Sequence, residues 1–348
     1  MDAKVTVADV AGGAGTAAGA GFRRWLREGG PLRTVGTLFA GAGAVETFKG
    51  FAIGNAAGRW WFVAVLVGGL AAVGVALLQQ RSARKVRVGV VVTGVDPRRK
   101  EGIAEDLTER ALTYARSTCA VTFQVRWRLP EGDVWDFSAV DGLAEATVEA
   151  MTTAERLTRG SARISLFPTI PLHAAFHYGA RIARAHAAPT TLYAPRHGGT
   201  YFPAIPPRAD RAAARPLRAA PPATIPGGDP ARAAVALDLQ GRGEDFAAHV
   251  RAACADLGIG TLLLLASPDE FLVEDQATFS GVVEQAAAAW RDTPLPDGAR
   301  AARHAVFLSG PVPIAVALGA RLATAQRGLW TALTWDEKSS TYESLPAA

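Results

Sequence analysis

Residues 171–183, PLHAAFHYGARIA, align without a gap on residues 311–323, PVPIAVALGARLA. Both segments follow an apolar strand, and both carry Gly-Ala-Arg-apolar-Ala at the same offset. Self-similarity at fixed spacing marks an internal repeat. Working outward from the first copy, the sequence reads VRVGVVV (86–92), a helix near 98–116, VTFQVRW (121–127), a helix near 139–158, ARISLF (162–167), a helix near 171–186 and TTLYA (190–194). Around the second copy the same order returns: AAVALDL (233–239), a helix near 243–256, TLLLLAS (261–267), a helix near 276–291, AVFLS (305–309), a helix near 312–325 and LWTALTW (329–335). Short β-branched runs alternating with helical patterns predict parallel sheets with crossover helices. The expected fold class is therefore α/β, two duplicated Rossmann-like halves at 86–205 and 231–348, divided by a Pro/Arg-rich linker at 206–230.

In such sheets a ligand sits beyond the carboxyl ends of the strands, at the point where strand order reverses. The candidate loops are Thr93, Gly94, Phe167, Pro168 and Thr169 in the first half, with Gln240, Gly241, Ser309, Gly310 and Pro311 in the second. The prolines there open helices whose free N–H groups favour an anion. Arg98, in the Arg98-Arg99-Lys100 run after Asp96-Pro97, stands where a phosphate would be met, although a solvated face is the plainer reading. Arg196 with His197, and Trp335 in the second half, follow or end strands on the ligand side. Gly179 and Gly319 each cost about 1 kcal/mol in mid-helix relative to Ala, which predicts helices lying close on their sheets.

Other constellations point away from chemistry. His173 and His177 have i, i+4 spacing with no carboxylate or cysteine between them, so no metal is assigned. Trp127 lies between Arg126 and Arg128; base stacking is one reading, core packing on a strand the other. GxSxG, HExxH, DFG and Walker A motifs are missing, and neither first strand runs into GxGxxG. No catalytic residue and no cofactor is assigned. Cys119 and Cys254 stand alone, so neither a disulfide framework nor a structural zinc site is indicated, and a reducing compartment fits. The 348 residues are 49% apolar with a net charge of +5, which excludes a disordered chain. A sequence pI near 9.5 allows nucleic acid or anionic lipid but selects neither.

The N-terminal region reads differently. Residues 1–33 predict a flexible tail, and 34–80 membrane-spanning helices. Within the latter, WWFVAVLVGGLAAVGVALL (60–78) is nineteen uncharged residues, close to the thickness of a bilayer core. A second candidate, 35–54, carries Glu46 and Lys49 on one helical face, so it reads either as an interfacial helix or as the first arm of a hairpin. The hairpin places both basic clusters, Arg23 to Arg33 and Arg81 to Arg87, on the cytoplasmic side. It is the reading adopted here.

The second copy, HAVFLSGPVPIAVALGARLATAQRGLWTALTW (304–335) followed by Tyr342, and the first, ISLFPTIPLHAAFHYGARIA (164–183), resemble the SAVED domain. That family is built of two fused CARF-like halves. The resemblance spans about 86–348 and is strongest at 304–342. It implies a sensor of a cyclic oligonucleotide, a cyclic trinucleotide or tetranucleotide, made by a partner nucleotide cyclase in CBASS antiphage defence. It further implies head-to-tail homo-oligomers on ligand binding and no direct DNA binding. Behind membrane helices, it implies an effector at the bacterial inner membrane, its SAVED domain in the cytoplasm, that disrupts the lipid bilayer when clustered. The loops differ between the halves, Thr93-Gly94 against Gln240-Gly241, and 206–230 has no counterpart. A membrane-tethered enzyme acting on a nucleotide or nucleotide sugar, with His173, His177 or Arg196 in its site, is the alternative; a lipid- or nucleic-acid-binding scaffold is a third.

Overall fold

The structure, a computed structural model, describes residues 4–10, 86–96, 103–130, 132–158, 162–186, 190–206, 215–296, 302–324, 329–337 and 339–346. The expected membrane helices at 35–54 and 60–78 lie outside the described residues, as does Arg98. Among the described residues no helix is long and apolar enough to cross a membrane. The described residues all belong to one compact unit.

The first half builds β2 (Arg87–Val95), α1 (Ile103–Thr118), β3 (Val121–Arg128), α2 (Phe137–Leu157), β4 (Arg163–Thr169), α3 (Leu172–Ala185), β5 (Thr190–Pro195) and β6 (Tyr201–Ile205). The second builds β9 (Asp229–Asp238), α4 (Glu244–Asp256), β10 (Ile259–Ala266), α5 (Gln276–Asp292), β11 (His304–Ser309), α6 (Val312–Leu322), β12 (Trp330–Asp336) and β13 (Thr341–Ser344). Strand order is β3-β2-β4-β5-β6 in one sheet and β10-β9-β11-β12-β13 in the other, the last strand of each antiparallel and the others parallel. The repeat therefore extends to topology.

β2 is apolar along its length because both its faces are covered, as a central parallel strand requires. Val88, Val90 and Val92 turn inward to the main core, and Val91 turns outward against Ala111, Leu112 and Ala115 of α1. α4 covers the second sheet's outer face in the same way through Phe246, Val250 and Cys254. Between the sheets lie α2, α3, α5 and α6, whose apolar faces join both sheets in one core. Asp136 caps α2 through the Ala139 N–H (2.7 Å) and Asp275 caps α5 through the Thr278 N–H (2.7 Å), satisfying donors a helix start leaves open. Within this layer the Tyr178 hydroxyl donates to Thr147 Oγ1 at 3.1 Å, with both residues buried. Tyr178→Phe is expected to cost about 1 kcal/mol, read as a lower melting temperature; an unchanged one would show that this bond contributes nothing.

The two halves share one core, since α3 packs on β12 and α6 on β4, β5 and β6. Three expectations change. Gly179 and Gly319 do not serve helix–sheet approach. A Cβ on Gly179 would meet the Val316 carbonyl oxygen and, at 2.8 Å, its Cα, while one on Gly319 would meet the Phe176 carbonyl. The two repeat copies thus pack on each other, backbone to backbone. Within the expected flexible tail, β1 (Lys4–Val10) pairs antiparallel with β3, its KVTVADV sequence having the alternation of a strand. The expected linker contributes β7 (Arg218–Ala219) and β8 (Ala223–Thr224), antiparallel to β10. The Gln285 side chain fastens it by accepting from the Leu217 N–H (3.0 Å) and donating to its carbonyl (2.6 Å).

Candidate functional site

Both sheets direct the carboxyl ends of their parallel strands toward one cavity of about 530 Å³, a size ordinary for a small-molecule site. Gly94 and Asp96 after β2, and Pro168, Thr169, Ile170 and Pro171 after β4, form one side. Leu239 and Gln240 after β9, with Gly310, Pro311, Val312 and Pro313 after β11, form the other. Register explains the match: Thr93 stands beside Thr169 and Asp238 beside Ser309, so both reversal points deliver their loops at the same height.

α3 and α6 begin at this cavity. Pro171 and Pro311 are their N-caps, and neither makes a side-chain capping bond. The starts of two helices from two halves therefore present positive dipole ends to one space.

The loop after β9 is held rigidly. Asp238, buried, accepts from the N–H groups of Gln240 (3.2 Å), Arg242 (3.1 Å) and Gly243 (2.7 Å). Ser309 Oγ donates to Gln240 Oε1 at 2.7 Å, so the strand end positions the side chain that lines the cavity. In the first half the buried Thr93 hydroxyl bonds that of Thr108 at 2.8 Å, beneath the cavity wall.

The remaining wall joins the halves. His197, in the β5–β6 turn, meets Glu274, in the loop between β10 and α5: Glu274 Oε1 accepts from the His197 N–H at 2.8 Å and lies 2.5 Å from Nδ1. Desolvation pushes the Glu274 carboxyl up, but the two His197 hydrogen bonds and the charges of His197 and Arg196 outweigh it and hold the group below the ordinary carboxylate range. Glu105, also lining, is paired with Arg126 at 2.9 Å. Burial pushes the Tyr201 hydroxyl up to about 12, so it stays protonated and donates to the Leu107 carbonyl at 3.1 Å.

Of the residues singled out from sequence, Gly94, Pro168, Thr169, His197, Gln240, Gly310 and Pro311 line the cavity. Thr93 and Ser309 are not among the lining residues; Ser309 holds the lining Gln240, and Thr93 bonds Thr108 of α1. The others lie elsewhere. Phe167 alternates to the outer face and stacks on Tyr193 at 4.7 Å. Trp335 stacks on His249 at 4.3 Å, with α4 rather than the cavity. Arg196 lies over the Phe202 ring at 4.8 Å, and Gly241 approaches the Asp269–Glu270 backbone. His173 is buried with Nδ1 3.4 Å from Thr334 Oγ1, and His177 is buried against Phe137 and Phe176. Among the described residues no group of three or more His, Cys, Asp or Glu could hold a metal. Trp127 packs in the core beside Gly142. Phe271, Leu272 and Glu274 were not singled out, yet their loop also follows a parallel strand's carboxyl end, and that rule applied to β10 would have found them.

Fold and site together define a duplicated α/β protein with a ligand-sized cavity shared by its two halves. Among solved structures the chain is similar to the Acinetobacter baumannii Cap4 SAVED/CARF-domain containing receptor with the cyclic trinucleotide 3'3'3'-cAAA, with TM-score 0.49 and 13% identity over 80% of this chain and 55% of that one. It is also similar to the same receptor with 2'3'3'-cAAA (TM-score 0.44, 14% identity, 78% of this chain and 53% of that one). Moraxella osloensis Cap4 follows with TM-score 0.35 and 14% identity over 60% of this chain and 41% of that one. The chain thus spans about half the length of the receptors it resembles. No family model and no curated protein matches it.

Proposed function

We propose that the cavity is the receptor site for a cyclic oligonucleotide, a ring of three or four nucleotides, and that the chain is a sensor without catalytic activity of its own. One observation carries the reading: equivalent positions of the two repeats, Ile170 with Gly310 and Pro171 with Pro311, face the same cavity. A ligand made of repeated units offers like groups to like walls, and its phosphates suit two uncapped helix starts. Of the acids that line it, Asp96, Glu105 and Glu274, the last two are paired with Arg126 and His197.

The effector step belongs to the same proposal. Ligand-bound sensors assemble head to tail, and the 35–54 and 60–78 segments, gathered in the bacterial inner membrane, associate and breach the bilayer. A nucleotide cyclase supplies the ring.

The test is a thermal shift of the full chain against cyclic di-, tri- and tetranucleotides, with linear oligomers of the same composition as controls. A ligand at about 100 times its dissociation constant stabilises by roughly 2.7 kcal/mol. A shift seen with one ring and not with its linear form is expected, together with larger species in solution and ring-dependent dye release from liposomes holding the protein. No shift with any ring would overturn the sensor reading; a shift without dye release would overturn the effector step alone.

A further inference from the structure

The His197–Glu274 contact does more than line the cavity: it ties a rim loop of one half to a rim loop of the other. The loop of the second half, residues 267–275, is anchored at both ends. The Ser267 N–H donates to the Asp238 carbonyl (2.7 Å), and Asp275 caps α5. Between these anchors Phe271 and Leu272 form cavity wall, while the Phe271 ring stays 57% exposed and the Val273 side chain 62% exposed. Two large apolar side chains left in water on a loop beside a cavity are the unfinished part of this surface. From the first half His197 meets it: its N–H and its ring both meet Glu274, and its ring meets Phe271 edge-on at 4.9 Å.

We propose that residues 267–275 are a strap over the cavity mouth and that the His197–Glu274 contact is its clasp, so that release of the clasp controls access to the cavity floor. Two hydrogen bonds to one carboxylate, one of them from an exposed ring, hold the closed state by a modest margin, as an access step requires. Both anchors lie outside the clasp, so the strap swings without unfolding α5 or β10. The inference rests on the cavity being the ligand site, but its test uses no ligand, so its failure is distinct from failure of that reading.

The probe is a thiol placed on the cavity floor, Thr169→Cys in the full chain, modified by N-ethylmaleimide. Native Cys119 and Cys254 are buried with thiols pushed up by desolvation, so the new thiol reacts ahead of them. Glu274→Ala, which removes both bonds, is expected to speed modification of Cys at 169 by about fivefold or more. His197→Ala keeps the backbone N–H and is expected to give a smaller rise. Mass spectrometry of the modified sites separates clasp release from unfolding, because an unfolded chain also labels at 119 and 254. Equal rates at 169 in all three backgrounds, with 119 and 254 protected, would overturn the proposal. Should Glu274→Ala label everywhere, the His197→Ala rate decides: a rise confined to 169 supports the clasp, and none overturns it.

Discussion

Gly179→Ala and Gly319→Ala are each expected to lower stability by about 1–3 kcal/mol, as over-packing of a closed interior does, and Gly179→Val by more. The expectation opposes local propensity, since alanine in a mid-helix position is intrinsically better than glycine by about 1 kcal/mol. What reverses the sign is the opposing backbone. The added methyl at 179 meets the Val316 carbonyl and Cα, and the one at 319 meets the Phe176 carbonyl, neither of which can rotate away as a side chain tip would. Relief requires α3 and α6 to move apart, and these helices carry the contacts between the halves, so the disturbance reaches both sheets. Gly198, with nothing near its Cβ direction and no left-handed φ, provides the control, and Gly198→Ala is expected within about 0.5 kcal/mol of the parent. Chemical denaturation measures all four variants. If Gly179→Ala and Gly198→Ala prove equally stable, the backbone contact of the two helices is not as described.

Asp238→Ala has the second large effect. It removes a buried acceptor group from three N–H donors of the exposed loop after β9, and bonds to a charged acceptor are worth about 1.5–3 kcal/mol each before water replaces them. A total loss of roughly 3–5 kcal/mol is expected, with weakened binding of any cavity ligand because Gln240 loses its platform. Asp238→Asn separates the contributions. An amide oriented with its oxygen as Oδ1 keeps the Gln240 and Arg242 bonds and loses the one to Gly243, which needs an acceptor where the NH2 would stand. An intermediate loss is expected, again by denaturation. Asn equal to Ala would show that the Gly243 bond alone holds the loop.

The main framework was readable from sequence because its signals are long. VRVGVVV and TLLLLAS are apolar runs of parallel-strand length, and the copies at 171–183 and 311–323 fix one half's order by the other's. The antiparallel additions were harder. β7 and β8 have two residues each, within a stretch whose prolines read as linker, and become strands only because β10 offers an edge. The role of Gly179 was misjudged for a related reason: a helix's sequence states which positions are small, not whether a sheet or another helix faces them. At the site, the strand-end rule reached the residues directly after β2, β4, β9 and β11. Phe167 and Trp335, which it also reaches, lie off the cavity because a strand's last residues alternate between faces, and both rings point away from the central layer. The His197–Glu274 pair joins residues 77 apart, a juxtaposition that only the packed halves create.

The same edge is closed in each sheet, and by unrelated means. β3 is covered by a strand from before the repeat, and β10 by two fragments from between its copies. A bare ladder of N–H and C=O groups invites another chain to pair with it, so each half had a sticky flank that the duplicated unit itself does not protect. KVTVADV on one side and the fragments RA and AT on the other share no pattern, so the guard strands lie outside the repeat. A chain trimmed to begin at Arg87 would keep the core and the cavity yet uncover β3, and sheet-to-sheet aggregation, not loss of fold, is the hazard such trimming creates.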